Sequence, residues 1–133
     1  MLLTGATEHG VWMDVHLSDA LETPDEHYDV VHMLTDADWD ALLAVYPSRT
    51  PRWREALAYV VAQGPSGPSL RVLRIAIRDE DRDVAVQAAL SMIDLCDLDV
   101  DVKLADEDRD AIRAAARDAT DAVRDDLLSF LDG

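Results

Sequence analysis

The sequence predicts an all-α domain of five to six helices stacked antiparallel, preceded by an extended N-terminal arm. Three observations carry that prediction. Helix-start signals recur: Thr-Pro at 23–24 and 50–51, and Thr35 with acids at 36 and 38. Beyond residue 24, apolar residues return at spacings of three and four rather than two. The intervening segments are short, so consecutive helices should lie side by side.

In the first 17 residues Val11, Met13, Val15 and Leu17 alternate with Trp12, Asp14 and His16, the period of a strand. One short strand has no sheet to join, so residues 1–17 are expected to form an arm. Thr23, Pro24 and Glu26 make the pattern of a capping box with proline at the first helical position. That helix should run over 24–34. Thr35, Asp36 and Asp38 open a second helix through Val45, turning Trp39, Leu42 and Leu43 inward. Thr50 and Pro51 open a third, with Trp53, Leu57, Val60 and Val61 as its stripe and Gly64 at its close.

"GPSGPS" at 64–69 reads as a loop. Over 69–78 the polar residues Arg71, Arg74 and Arg78 form one stripe on an otherwise apolar helix. Over 83–96 only Gln87, Ser91 and Asp94 interrupt the apolar surface, at i, i+4 and i+7. A helix apolar nearly all round belongs inside, so this one is expected at the centre, Leu90 and Ile93 included. A last helix over 106–131 carries one seam: Ile112, Ala116, Ala119, Val123, Leu127 and Phe130.

The chain has 133 residues, enough for one domain with a real core, and 49% of them are hydrophobic. No apolar run reaches membrane-spanning length, and the start lacks the basic and apolar regions of a signal peptide. Cys96 is the sole cysteine and sits in an apolar stretch, so a buried thiol is expected. Together these readings place the protein in the cytoplasm. The net charge is −16, which disfavours nucleic acid and anionic membrane as partners and favours basic proteins. The charge is uneven: residues 1–48 hold ten acids and no lysine or arginine, 49–96 are nearly balanced, and 97–133 are acidic again. Salt adaptation would coat the surface uniformly, which the balanced middle does not fit.

"DEDRD" stands at 79–83 and again at 106–110. Alternating carboxylates suggest calcium, but an EF-hand loop needs Gly at its sixth position and Glu at its twelfth. Those positions hold Val84 and Leu90 in the first copy, Ala111 and Arg117 in the second. The helix-start reading explains both copies, because carboxylates in a first turn complement the helix dipole and its unpaired N–H groups. Each pentad precedes an alanine-rich apolar stretch, a weak internal repeat of the kind that stacked helix pairs produce.

The stretch "LRVLRIAIRDEDRDVAVQAALSMIDL" at 70–95 resembles a HEAT-type repeat. Leu70, Leu73 and Ile77 match its first helix, Asp81 its turn, and Val84 and Ala88 its second helix. It departs at Ala85, where Arg is usual, and at Met92, where Leu is usual. The likeness covers about a fifth of the chain. Residues 36–64 also resemble in general appearance the leading helices of small HEAT-like immunity proteins from bacterial toxin systems. These resemblances imply an irregular HEAT-like stack and a toxin as partner, and carry over no functional residues.

Few residues point to chemistry. His27 and His32 are five apart and share no helical face, His9 and His16 belong to no ligand motif, and no second cysteine is present. No GxSxG, GxGxxG or GxxxxGK[ST] occurs, so neither an enzyme nor a cofactor is expected. Every tryptophan and tyrosine lies in the first 59 residues. Trp39 and Trp53 sit at inward helix positions; Trp12 and Tyr28 lie among acids and are expected to be exposed. The expected partner surface is therefore residues 12–40: Trp12, Asp14, Asp19, Glu22, Asp25, Glu26, Tyr28, Asp29, Asp36, Asp38 and Asp40. The function expected from it is non-catalytic: binding of a basic cognate toxin, such as a nuclease with a positive groove, by steering and occlusion. The alternatives are a HEAT-like adaptor without a toxin, and, less well supported, a small enzyme.

Overall fold

The computed structural model describes residues 2–132. They fold into eight α-helices: α1 (Glu8–His16), α2 (Asp25–Val31), α3 (Asp36–Val45), α4 (Pro51–Val60), α5 (Ser66–Ala76), α6 (Arg82–Leu98), α7 (Asp106–Ala116) and α8 (Asp121–Asp132). Single 3₁₀ turns extend α1, α3 and α4, and no strand occurs among the described residues. None of these helices is long and apolar enough to cross a membrane.

The predicted central helix is the centre. α6 packs on α4, α5, α7 and α8 and buries Val84, Ala88, Ala89, Met92 and Leu95. Leu90 and Ile93, expected inside, are only partly buried. With Val86 they lie at i, i+4 and i+7, on the strip of α6 that its four neighbours cover only in part. Cys96 is half-buried, and burial pushes its thiol pKa up.

The count of eight rather than five to six has local causes. The expected arm is α1, a helix. Its four alternating residues divide between two helical faces: Met13 and Leu17 point into the core, while Val11 and Val15 point out. Each pair is spaced i, i+4, so an inward and an outward stripe together mimic a strand period. The expected final helix breaks at residues 117–120. Arg124 reaches back across the break, donating to the carbonyls of Ala116 at 3.0 Å and Ala119 at 3.2 Å, which ends α7 with its acceptors satisfied. The seam survives the break in part: Ile112, Ala116, Ala119 and Leu127 are buried, whereas Val123 and Phe130 are only partly so.

Three of the expected start signals cap their helices and one does not. Thr35 caps α3 in a reciprocal box with Asp38, and Thr50 accepts the Trp53 amide at 3.2 Å. Asp81 accepts the amides of Asp83 and Val84 and so starts α6; the second pentad fills the first turn of α7. Thr23 does not cap α2: its hydroxyl donates back to the Asp19 carbonyl at 3.3 Å, and Pro24 is the helix cap residue. The "GPSGPS" loop is in fact partly helical, α5 beginning at Ser66. Pro68 is tolerated there because first-turn amides have no intrahelical acceptor to lose.

Candidate functional site

The site begins with one buried carboxylate. Asp38, fully buried at the start of α3, accepts from the Thr7 amide at 2.6 Å, the Thr7 hydroxyl at 2.7 Å and the Thr35 amide at 2.9 Å. Burial pushes its pKa up, but the bonds from Thr35 and Thr7 outweigh burial and hold it below the ordinary carboxylate range. One side chain thus ties the start of α1 to the start of α3. Gly10 lets α1 lie this close: a Cβ there would stand 2.5 Å from the Asp38 Oδ1. With Gly10, Met13 and Leu17 committed inward, the outward stripe of Val11 and Val15 is left facing solvent.

α2 lies beside α1. Its His27 is buried, with Nε2 2.8 Å from the His16 carbonyl oxygen, and its Val31 enters the core. Because a carbonyl only accepts, Nε2 donates this bond, which leaves Nδ1 as the second polar atom of the ring. That Nδ1 is buried and has no hydrogen-bond partner among the described residues. The Trp12 ring contacts both histidines in tilted geometry, its centroid 4.8 Å from each.

Between α1 and α2 runs a groove of about 900 Å³. Val11, Trp12 and Val15 form one wall, Val30 and Met33 the other, and Glu8, Glu26 and Asp29 stand among the lining residues. Val11, Val15 and Met33 are 46%, 68% and 52% exposed, a cluster of large apolar side chains in contact with water. A second hollow of about 590 Å³ shares Trp12, His16 and Glu26 with the groove and adds Asp19, Glu22, Asp25 and His27.

The sequence-predicted surface separates into two groups. Trp12, Asp19, Glu22, Asp25, Glu26 and Asp29 line the two adjoining hollows. The others do not. Asp38 is inside the protein and cannot face a partner. Tyr28, expected to be exposed, is half-buried against the Tyr59 ring, and burial and its bond to Tyr59 raise its pKa. Trp12 is also half-buried rather than free. Asp14 pairs bidentately with Arg49, and Asp40 pairs with Arg71 at 2.8 Å on the α3 side; Asp36 stays exposed there.

The segment 12–40 has no cation of its own, but folding brings it three: Arg49 to Asp14, Arg52 to Glu22 and Arg71 to Asp40. Among the described residues Glu8, Asp19, Asp25, Glu26, Asp29 and Asp36 make no ion pair. Glu8, Asp25, Glu26 and Asp36 occupy first turns, where the helix dipole favours a carboxylate. Asp29 has neither a cation nor the dipole, because it lies in the last turn of α2.

The exposed walls Val11, Val15 and Met33 went unread in the sequence. Val11 and Val15 stand at i, i+4, which marks a helix face once α1 is known to be a helix. No group of three or more His, Cys, Asp or Glu among the described residues is arranged to hold a metal ion. No protein-family model, curated protein or solved structure matches the chain.

Proposed function

We propose that the protein is a non-catalytic module that binds a basic protein on the α1–α2 groove, and that this partner is a toxin which the module neutralises by occlusion. The observation that carries this reading is Asp29. A carboxylate in the last turn of a helix, beside exposed Val15 and Met33 and without a cation, costs stability where it stands. A cationic partner is what would offset it. Acids around an apolar patch also supply what association needs: steering from a distance, then anchors that exclude water. The toxin reading rests further on the likeness to small bacterial immunity proteins. A HEAT-like adaptor is the second reading, supported by the α5–α6 hairpin with Asp81 at its turn and Leu73, Ile77, Val84 and Ala88 buried between the helices.

The test is affinity capture from the native host with the wild-type chain, with Asp25→Lys/Asp29→Lys and with Asp125→Lys/Asp126→Lys. A basic protein held by the wild type and the C-terminal variant, but lost by the N-terminal one, is the expected result. Expressing that captured protein in bacteria should stop growth, and co-expressing this chain should restore it. Capture that is indifferent to the N-terminal reversal would remove the assigned face. Growth unaffected by the captured protein would leave the adaptor reading in place of the toxin one.

A further inference from the structure

We infer that the groove receives an amphipathic α-helix of the partner, its apolar stripe on Val11, Val15 and Met33 and a lysine or arginine in the hollow beside Trp12. This rests on the binding function proposed above and specifies how that site recognises its partner.

The shape of the groove selects a helix. Both walls are mainly helical and no strand occurs among the described residues, so the groove offers no open edge on which a strand could add. Val11 and Val15 stand one turn apart on one wall; Val30 near the end of α2 and Met33 in the turn that follows it make the other. Two such rows match the ladder of side chains that a helix presents at i, i+3/i+4 and i+7. At 1.5 Å per residue α1 is roughly 13 Å long, so about three turns of a docked helix would cover it.

The charge selects its flanks. Glu8, Glu26 and Asp29 beside the apolar rows require a helix with basic residues next to its apolar stripe. The adjoining hollow offers Asp19, Asp25 and Glu26, which make no ion pair among the described residues. A second copy of this chain does not fit: it also carries −16, and its arginine-striped helix α5 buries Val72 and Leu73 and exposes only the single large apolar residue Ile75, not a stripe. An anionic lipid surface does not fit either, since the same acids would repel it.

The probe is a synthetic peptide of about 18 residues with leucines at helical spacing and lysines flanking them, long enough to form the helix on binding. Two controls accompany it: an isomer of the same composition with the leucine spacing scrambled, and a proline-rich peptide of equal charge. Methyl and indole NMR of the intact protein reads the site directly. Saturable shifts are expected at Val11, Val15, Met33 and Trp12 with the helical peptide. Val15→Glu/Met33→Glu should weaken it by about tenfold or more, as loss of central anchors does, while Leu98→Glu/Val100→Glu should not. Both pairs are exposed, so the fold survives either change. If the scrambled isomer binds equally, or only the proline-rich peptide shifts the groove, the helix inference fails. If Asp25→Lys/Asp29→Lys still weakens all three peptides, the acidic binding face stands without it. Shifts confined to another part of the molecule would remove both.

Discussion

Helices α6 and α1 are both rich in apolar residues, and the fold treats them in opposite ways. α6 is covered by four helices and buries Met92 and Leu95 completely. α1 touches α2 and α3, buries Met13, and leaves Val11 and Val15 exposed at 46% and 68%. Hydrophobicity alone therefore does not decide burial; the number of neighbouring elements does. The apolar surface of α6 is a means of folding, whereas the outer stripe of α1 contributes nothing to the core and is free for a partner.

That contrast is sharpest at the level of single side chains. Met92→Ala should cost about 2–5 kcal/mol, the range for truncating a buried methionine, whereas Val15→Ala should stay within about 0.5 kcal/mol. Leu90→Ala and Ile93→Ala, on the partly covered strip, should fall between. Urea melts of the four variants give the ranking. A Val15 effect as large as that of Met92 would mean α1 belongs to the core.

Asp38 is what holds the lightly covered α1 in place. In Asp38→Asn an amide N–H₂ would meet the Thr7 and Thr35 donors, so a loss of about 2–4 kcal/mol is expected. The same carboxylate gives a pH dependence. Its folded pKa lies below the unfolded value of about 3.9, so the native state binds fewer protons as acid is added. Its contribution is complete above that range and is lost as pH falls through and below it. Asp108, held low first by the Arg74 guanidinium, acts in the same direction. The stability of Asp38→Asn should therefore fall less steeply than wild type between about pH 5 and pH 2. An unchanged slope would show that the carboxylate does not link α1 to α3.

Gly10→Ala should come next, at about 1–3 kcal/mol, because the new methyl meets the fixed Asp38 carboxylate rather than open space. Gly67→Ala meets nothing within 4 Å and serves as the control. Equal effects at both positions would mean that α1 does not rest on α3 at Gly10.

How much of this was legible in the sequence depends on the distance over which each cause acts. Thr35, Thr50 and Asp81 could be read as caps because their partners lie within three residues. Thr23 was misread for an equally local reason, the competing carbonyl of Asp19. The period of α1 was ambiguous because both of its faces are apolar. Most of the ion pairing was out of reach. Asp14 and Arg49 are 35 residues apart, and Arg74 and Asp108 are 34 apart. The arginine stripe of α5 was visible, but nothing in the sequence shows that Arg71 meets Asp40 or that Arg74 meets Asp108. The groove lay out of reach for the same reason, since it exists only once α1 and α2 lie side by side.

The smallest expected effect separates acids that serve the fold from acids that do not. Asp14, with its side chain 13% exposed, binds the Arg49 guanidinium through both oxygens at 2.9 and 2.8 Å. Asp14→Asn should therefore destabilise, as removing one partner of a half-buried charge pair leaves the other unsatisfied. Asp29 faces the groove from the last turn of α2, against the helix dipole and among other carboxylates. Asp29→Asn should stabilise the free protein by a few tenths of a kcal/mol at low salt, since one unfavourable dipole contact and some self-repulsion disappear. The gain should shrink as salt rises, because exposed charges are screened beyond about 10 Å at 0.1 M. Thermal melts of both variants at two salt concentrations measure the pair of signs. If Asp29→Asn destabilises, the carboxylate has a structural partner, and the chief argument that it is kept for a basic protein is lost.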